Sequence, residues 1–256
     1  VASATPRIRV ADPVYNAQVI CEQAKEAAEH GAKIVVFPEL CITGYTCNDL
    51  FLQELLLEKA KEALLTIAEE TGQLETLFLV GLPVDKDGRL YNVAAVLYRG
   101  RILGMIPKKN IPMYAEFYEG RHFTPGEETV TEYRLGKQVI PFGSNLLFRC
   151  EELPELVLGC ELCEDLWVAE PPSTSHALMG ATVIANLSAS NETVSKDDYR
   201  TLLIKASSAR LLCGYIYTSA GEGESTQDLV FGGHDLIAEN GTLLVQSARF
   251  TTGILY

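Results

Sequence analysis

The chain has 256 residues, 47% of them hydrophobic, and a chain of this length and composition can bury a large core. Its 34 acidic and 21 basic residues give a formal net charge of −13, which argues against nucleic acid or an anionic membrane surface as a partner. No apolar run reaches the roughly 18 residues that a membrane span requires, which leaves a soluble enzyme or a binding domain.

The first third of the chain alternates helices and strands after a strand-like N-terminal run. Apolar residues at helical spacing predict a helix from about Asn16 to His30, which Gly31 ends. The continuous apolar run Ile34–Phe37 predicts a strand covered on both faces, and Pro38 breaks it. A second helix is predicted before the buried strand Leu77–Val80, from the apolar residues Leu52, Leu55, Leu56, Ala63, Leu64 and Ile67.

The middle of the chain favours antiparallel structure. The runs Tyr91–Tyr98 and Ile102–Ile106 predict a hairpin, which Pro107 ends. The aromatic segment Asn110–Gly126 is too long for an ordinary connection, and long ordered loops often bind ligands. A further hairpin is predicted over Gln138–Phe148, with its turn at Gly143-Ser144.

The last third returns to alternating strands and helices. Val157–Cys160 predicts a short buried strand, and the acids and prolines that follow place Cys163 at its end or in the next turn. The remaining predictions are a helix over Ser173–Gly180, a strand over Thr182–Leu187, a helix over Asp198–Cys213, a strand over Tyr215–Thr218 and a hairpin of Val230–Ala238 with Leu243–Val245. Together these elements predict a single α/β domain, with mixed sheets and helices outside.

Three residues with reactive side chains each follow a predicted strand: Glu39, Lys108 and Cys163. In open α/β sheets, functional residues collect at the carboxyl ends of the strands. Attack of a thiol on an amide needs a base to take its proton and a charge to stabilise the oxyanion. A carboxylate and a lysine can supply both, and the products are a thioester and an amine.

Each of the three residues also has an ordinary structural interpretation. Cys163 can be a buried structural thiol, because free cysteine is among the most buried residue types. Glu39 can be an exposed loop acid, and Lys108 can be half of the solvated pair Lys108-Lys109. Composition and spacing alone leave these alternatives open.

The local sequence around these residues resembles the three signature motifs of the nitrilase (carbon-nitrogen hydrolase) superfamily. The matching segments, in the same order, are Phe37-Pro-Glu-Leu40 with Gly44-Tyr45, Pro107-Lys-Lys-Asn-Ile111 and Cys163-Glu-Asp-Leu-Trp167. The resemblance implies a four-layer α-β-β-α sandwich. It also implies that Glu39 is the base, Lys108 the lysine and Cys163 the nucleophile of a catalytic triad.

Further segments resemble the glutaminase domain of the glutamine-dependent NAD⁺ synthetase family. They are Tyr114-Ala-Glu-Phe-Tyr-Glu119, Arg121-His-Phe-Thr-Pro-Gly126, Asn186-Leu-Ser-Ala-Ser190 and Ser219-Ala-Gly-Glu-Gly-Glu-Ser225. The resemblance implies L-glutamine as substrate. The positions that it implies lie around glutamine are Tyr114, Phe117, Glu119, Glu164 and Ser190.

The same resemblance implies partners outside this sequence. Enzymes of that family carry a C-terminal synthetase domain with a Ser-Gly-Gly-x-Asp-Ser loop that binds ATP, and residues 1–256 contain no such loop. Residues 1–256 are therefore expected to be a glutaminase domain without cofactor, whereas ATP and Mg²⁺ would serve the synthetase domain. Nitrilase-like domains commonly oligomerise, so a homo-oligomer is expected.

Two other functions remain open at this stage. One is a stand-alone amidase or carbamoylase acting on another small amide, and the other is a catalytically idle assembly domain. A zinc or redox site at Cys160-Glu-Leu-Cys163 is disfavoured because a second cysteine pair and a thioredoxin-like start are both missing. The four histidines lack ligand spacing, so no metal is expected. An odd count of seven cysteines and the lack of a secretory leader pattern predict the cytoplasm.

Overall fold

The computed structural model describes residues 1–256 and contains four α-helices and fourteen strands. The helices are α1 (Pro13–Glu29), α2 (Glu54–Glu70), α3 (Pro172–Leu178) and α4 (Lys196–Leu211). The strands are β1 (Ala2–Thr5), β2 (Ile34–Val36), β3 (Leu77–Lys86), β4 (Arg89–Tyr98), β5 (Arg101–Pro107), β6 (Thr131–Leu135), β7 (Gln138–Phe142), β8 (Phe148–Arg149), β9 (Val157–Leu162), β10 (Val183–Ser188), β11 (Gly214–Ser219), β12 (Leu236–Glu239), β13 (Thr242–Gln246) and β14 (Gly253–Leu255). None of the helices combines the length and the apolarity that crossing a membrane requires.

The strands form two mixed sheets. The first has eight strands in the order β14-β1-β2-β3-β4-β5-β7-β6, and the second has six in the order β13-β12-β11-β10-β9-β8. Strands joined through helices are parallel, as β2 and β3 are, whereas β3, β4 and β5 form antiparallel hairpins. Because two successive antiparallel pairings restore the direction, β5 runs the same way as β2. Glu39 and Lys108 therefore follow strands whose carboxyl ends lie at the same end of the first sheet.

Three hydrophobic layers hold the two sheets and the helices together. On β2, Val35 packs toward α1 and α2, while its neighbour Val36 packs against the second sheet. A third layer, which includes Ile204 and Tyr215, lies between the second sheet and α4, and α3 packs beside it on β9. Strands buried on both faces explain the continuous apolar runs in the sequence. The predicted α-β-β-α sandwich is confirmed.

The predicted hairpin over Gln138–Phe148 is wrong. β7 pairs antiparallel with β6, the strand that precedes it in the chain, and Gly136-Lys137 forms the turn between them. Gly136 has a φ of +57°, which favours glycine. The chain then leaves the first sheet after Phe142, and β8 pairs with β9 in the second sheet. Gly143-Ser144 is therefore a crossing between the sheets, which local turn signals cannot distinguish from a hairpin turn.

Two element boundaries also differ from the predictions. The strand expected from Val230 begins only at Leu236, because the Gly232-Gly233 segment turns the chain and leaves a single bridge from Phe231. Leu52 and Leu55 lie outside the core, since Leu52 ends a 3-10 segment before α2. The buried face of α2 begins at Leu56.

Candidate active site

The structure brings together the three residues that follow the ends of β2, β5 and β9. Glu39 and Lys108 come from the first sheet, and Cys163 comes from the second. The Lys108 Nζ lies 2.7 Å from the Glu39 Oε1, and both side chains are completely buried. Cys163 is 6% exposed, with Glu39, Lys108 and Glu119 as its charged neighbours. The structure thus rules out an exposed Glu39 and a solvated Lys108.

Both carboxylate oxygens of Glu39 have fixed partners. Besides Lys108, the Asn92 Nδ2 donates to Oε1 at 2.7 Å, and the Ala189 N–H donates to Oε2 at 2.9 Å. A Cβ at Gly81 on β3 would stand 2.2 Å from the nitrogen of Leu40. Glycine at this position therefore lets the turn that carries Glu39 pack directly against β3.

A second carboxylate shares the lysine. The Lys108 Nζ donates to both oxygens of Glu119, at 2.7 and 2.9 Å, and the Tyr45 hydroxyl donates to the same carboxylate at 2.9 Å. Burial opposes the charge on Lys108, but Glu119 and Glu39 raise the pKa of its ammonium well above the ordinary value. Burial in turn raises the pKa of Glu119. The lysine is therefore a cation held between two acids.

Cys163 occupies a strained turn. It begins a single 3-10 turn, Cys163–Leu166, directly after β9, and its φ of +41° lies in the left-handed region. Burial and the negative charge of Glu39 raise the pKa of the Cys163 thiol, while Lys108 opposes that shift. The resting side chain is a neutral thiol, so its attack requires a neighbouring base.

Asp165 ties the cysteine turn to the aromatic loop. Its buried carboxylate accepts hydrogen bonds from the backbone of Leu162 at 3.0 Å and from the backbone and side chain of Asn110, both at 2.8 Å. Burial raises the pKa of Asp165 to about 6. The role of Asp165 was not predicted from the sequence, because its loop partner Asn110 lies 55 residues away.

The aromatic loop places two of the predicted binding residues beside the cysteine turn. The Tyr114 hydroxyl donates to Glu164, 3.0 Å from each carboxylate oxygen, and the Phe117 ring lies 5.8 Å from that of Tyr114. The Lys196 Nζ lies 5.6 Å from the centre of the Phe117 ring and 5.2 Å from that of Trp167. Burial lowers the pKa of Lys196. Lys196 was not predicted from the sequence.

Ser190 lies deeper than the other predicted binding residues. It is 2% exposed, and its hydroxyl accepts a hydrogen bond from Arg200 at 3.3 Å. Glu119 is likewise buried, but its partner is the catalytic candidate Lys108. The predicted set therefore divides into two buried residues and a partly exposed group beside the cysteine turn, here called the mouth of the site: Tyr114, Phe117 and Glu164.

Glu224, in the Ser219–Ser225 segment, is a further residue whose role was not predicted from the sequence. Its partly buried carboxylate accepts from the backbone N–H groups of Tyr45 and Thr46, at 2.7 and 3.0 Å. This contact fixes the tyrosine whose hydroxyl bonds Glu119. The signal in the sequence was an acid within the Gly-Glu-Gly-Glu segment, but its partner lies about 180 residues away.

Two sheets stacked between helices, with a buried carboxylate, lysine and thiol where three strands end, define a nitrilase-type hydrolase fold and site. A family model described as carbon-nitrogen hydrolase matches residues 1–256. The chain belongs to this family.

Relatives and solved structures agree with that assignment. The chain is 43% identical over 254 residues to a glutamine-dependent NAD(+) synthetase of Mycobacterium tuberculosis, covering 99% of this chain and 37% of that protein. The corresponding protein of Aquifex aeolicus is 30% identical, with 96% and 40% covered. The chain thus spans about two fifths of the length of these relatives.

The fold recurs in two kinds of solved structure. A glutamine-dependent NAD(+) synthetase from Cytophaga hutchinsonii superposes with a TM-score of 0.89 at 28% identity, over 99% of this chain and 41% of that one. An amidase from Nesterenkonia, of the nitrilase superfamily, superposes with a TM-score of 0.77 at 21% identity, over 99% and 87%. The second likeness concerns the fold alone.

Proposed function

We propose that this domain hydrolyses the side-chain amide of L-glutamine to L-glutamate and ammonia through a thioester on Cys163. The observation that carries the proposal is the Lys108 ammonium, which is buried between Glu39 and Glu119 beside a neutral thiol. The 43% identical relative that is named for glutamine dependence supports the choice of amide. Glu39, Lys108 and Cys163 form the proposed catalytic triad.

The first half of the reaction forms the thioester. Glu39 takes the Cys163 proton as the sulfur attacks the amide carbon, and the carbonyl oxygen becomes an oxyanion. The ammonium of Lys108 has three N–H donors. In the proposed reaction, one donates to Glu39, one is shared by the two oxygens of Glu119, and the third donates to the oxyanion. When the intermediate collapses, the C–N bond breaks and Glu39 returns the proton to the departing nitrogen as ammonia.

The second half regenerates the thiol. Glu39 removes a proton from water as the water oxygen attacks the thioester carbon, and Lys108 again stabilises the oxyanion. The C–S bond then breaks, the sulfur takes the proton held by Glu39, and L-glutamate leaves. The protein returns to its starting state without any metal or redox partner in the balance.

The mouth of the site offers groups that suit an amino-acid head. Glu164, held by the Tyr114 hydroxyl, provides a carboxylate for the α-ammonium group. Lys196, between the rings of Phe117 and Trp167, provides a cation for the α-carboxylate. A carboxylate and a cation near the same site favour a zwitterion over a simple aliphatic amide.

The length of the relatives suggests where the ammonia goes. Because the chain spans 37–41% of proteins named NAD(+) synthetases, we propose that a C-terminal synthetase domain uses the ammonia to amidate deamido-NAD⁺. ATP and Mg²⁺ would bind that domain, and the glutaminase domain itself would need no cofactor. A homo-oligomer in the cytoplasm remains a prediction.

A panel of amides tests the substrate. Ammonia release should be measured for L-glutamine, D-glutamine, L-asparagine, butyramide and an N-carbamoyl amino acid. We expect L-glutamine to exceed butyramide by at least about 10²-fold in kcat/KM, because two charge-assisted contacts to the head group contribute about 1.5–3 kcal/mol each. Cys163→Ala provides the background rate.

Other results of this panel would point to the other functions. Equal rates for L-glutamine and butyramide would show a stand-alone amidase that does not recognise the α-amino and α-carboxylate groups. A preference for the N-carbamoyl compound would show a carbamoylase. A folded protein that releases ammonia from none of them would be a non-catalytic assembly domain.

The charge of Glu39 yields a prediction in which two rates change in opposite directions. In Glu39→Gln, amide hydrolysis should fall at least about 10²-fold, because the general base is lost. Alkylation of Cys163 by iodoacetamide at neutral pH should become faster, because the negative charge that raises the pKa of the thiol is gone. Ammonia release and mass-spectrometric alkylation rates measure the two effects. A fall in both rates would contradict the inference that the charge of Glu39 suppresses the thiolate of Cys163.

A further inference from the structure

Arg200 is a buried cation that the proposed reaction does not use. It lies on α4 and is completely buried, which is unusual for arginine. Its guanidinium contacts the Glu192 Oε1 at 2.7 Å, the His234 Nδ1 at 3.0 Å, the Asn191 carbonyl at 3.1 Å and the Ser190 Oγ at 3.3 Å. Three of these four groups lie in the consecutive segment Ser190–Glu192.

The charges around Arg200 are consistent with one another. Glu192 supplies the opposite charge, at 7% side-chain exposure. Burial and the charge of Arg200 lower the pKa of His234, so His234 is neutral and can accept a hydrogen bond through Nδ1. A buried charge is costly unless it is paired and hydrogen-bonded, and here one acid and three neutral acceptors contact the guanidinium. Hydrogen bonds from the guanidinium therefore hold the Ser190–Glu192 segment in place.

That segment reaches the mouth of the site through Asn191. The Asn191 Oδ1 accepts a hydrogen bond from the Lys196 Nζ, and its Nδ2 donates to Glu116 of the aromatic loop. Arg200 thus contacts Ser190 directly, and hydrogen bonds of Asn191 link it to Lys196 and to the loop. Cys163, Glu39 and Lys108 have no hydrogen bond to this group of residues.

We propose that Arg200 is a positioning residue for the side of the site that binds the substrate head group. The inference rests on the proposed function for the identity of the ligand, an α-amino acid. The planar fork of arginine reaches Glu192 with one nitrogen, and the Ser190 hydroxyl and the Asn191 carbonyl with the other. Lysine is a single point charge and cannot span both. Arg200→Lys should therefore keep the charge and lose the positioning.

The experiment measures binding separately from turnover. Iodoacetamide alkylates Cys163 without needing the head-group contacts, and bound L-glutamate, the product, should block that reaction. We expect Arg200→Lys to need at least about tenfold more L-glutamate for half-protection and to show a similar rise in KM for L-glutamine. The alkylation rate without ligand should stay within about twofold of the unaltered protein.

Arg249→Ala is the matched control. Arg249 is 43% exposed and contacts the same acid cluster, 3.1 Å from Asp197 and 3.9 Å from Glu192, but has no contact to Ser190 or Asn191. We expect it to leave the half-protecting concentration unchanged. If Arg200→Lys fails to fold, the double variant Arg200→Met with Glu192→Gln removes both buried charges together, and the same tenfold rise is expected.

The possible outcomes separate the inference from the proposed function. Unchanged protection in Arg200→Lys or in the double variant overturns the inference, as does an alkylation rate that falls in parallel with protection. Protection of the unaltered protein without any glutamine hydrolysis overturns the proposed function and leaves the Arg200 comparison valid. No protection of the unaltered protein by L-glutamate or L-glutamine overturns both.

Discussion

Replacing Cys163 with alanine is expected to reduce ammonia release from L-glutamine by a factor on the order of 10⁴ or more, as losses of catalytic nucleophiles do. The sulfur forms the only covalent bond between enzyme and substrate in the proposed reaction. The fold should persist, because the substitution removes a single sulfur atom from the turn that follows β9. Ammonia release and circular dichroism measure the two properties.

Cys160→Ala is the matched control for that prediction. Cys160 lies three residues earlier on β9 and packs in the apolar layer between the sheets. We expect this variant to retain most of the activity, since only a small side chain is removed. A glutamine-directed electrophile such as diazo-oxonorleucine should give one adduct, on Cys163. An adduct on Cys160 or Cys41, or full activity in Cys163→Ala, would contradict the assignment.

Lys108→Ala is expected to lower kcat/KM by about 10³-fold, because the oxyanion loses its stabilising charge. The change also leaves Glu39 and Glu119 buried without their shared cation. Breaking a buried ion pair costs about 3–5 kcal/mol. We therefore expect lower thermal stability as well, and urea unfolding together with steady-state kinetics measures both effects.

Lys109→Ala separates a specific effect from a general loss of positive charge. The Lys109 side chain is 35% exposed and pairs with Glu128 at the surface, and such pairs contribute about 1 kcal/mol or less. We expect near-normal activity. The double variant Lys108→Met with Glu119→Gln relieves the buried negative charge and should be more stable than Lys108→Ala but equally inactive. Comparable losses in the two alanine variants would remove the reason for choosing Lys108.

Buried strands were the part of the fold that the sequence predicted best. Ile34–Phe37, Leu77–Val80 and Thr182–Leu187 are continuous apolar runs, and each lies in a strand covered on both faces. The Gln138–Phe148 segment failed because its strand β7 pairs with β6 before it and with β5, far earlier in the chain. A turn signal shows where the chain bends, but it does not show which strand lies alongside.

The sequence by itself determined that Glu39, Lys108 and Cys163 follow strand ends, because strand breakers and the residues beside them are local features. Only the tertiary structure decided which groups surround them. Asn92 bonds Glu39 and Lys108 bonds Glu119, although the four residues lie in different segments of the chain. The buried Arg200 likewise bonds Ser190. These contacts depend on how two sheets stack. Burial then sets their strength, because excluding water makes each charge and hydrogen bond depend on partners that are distant in the chain.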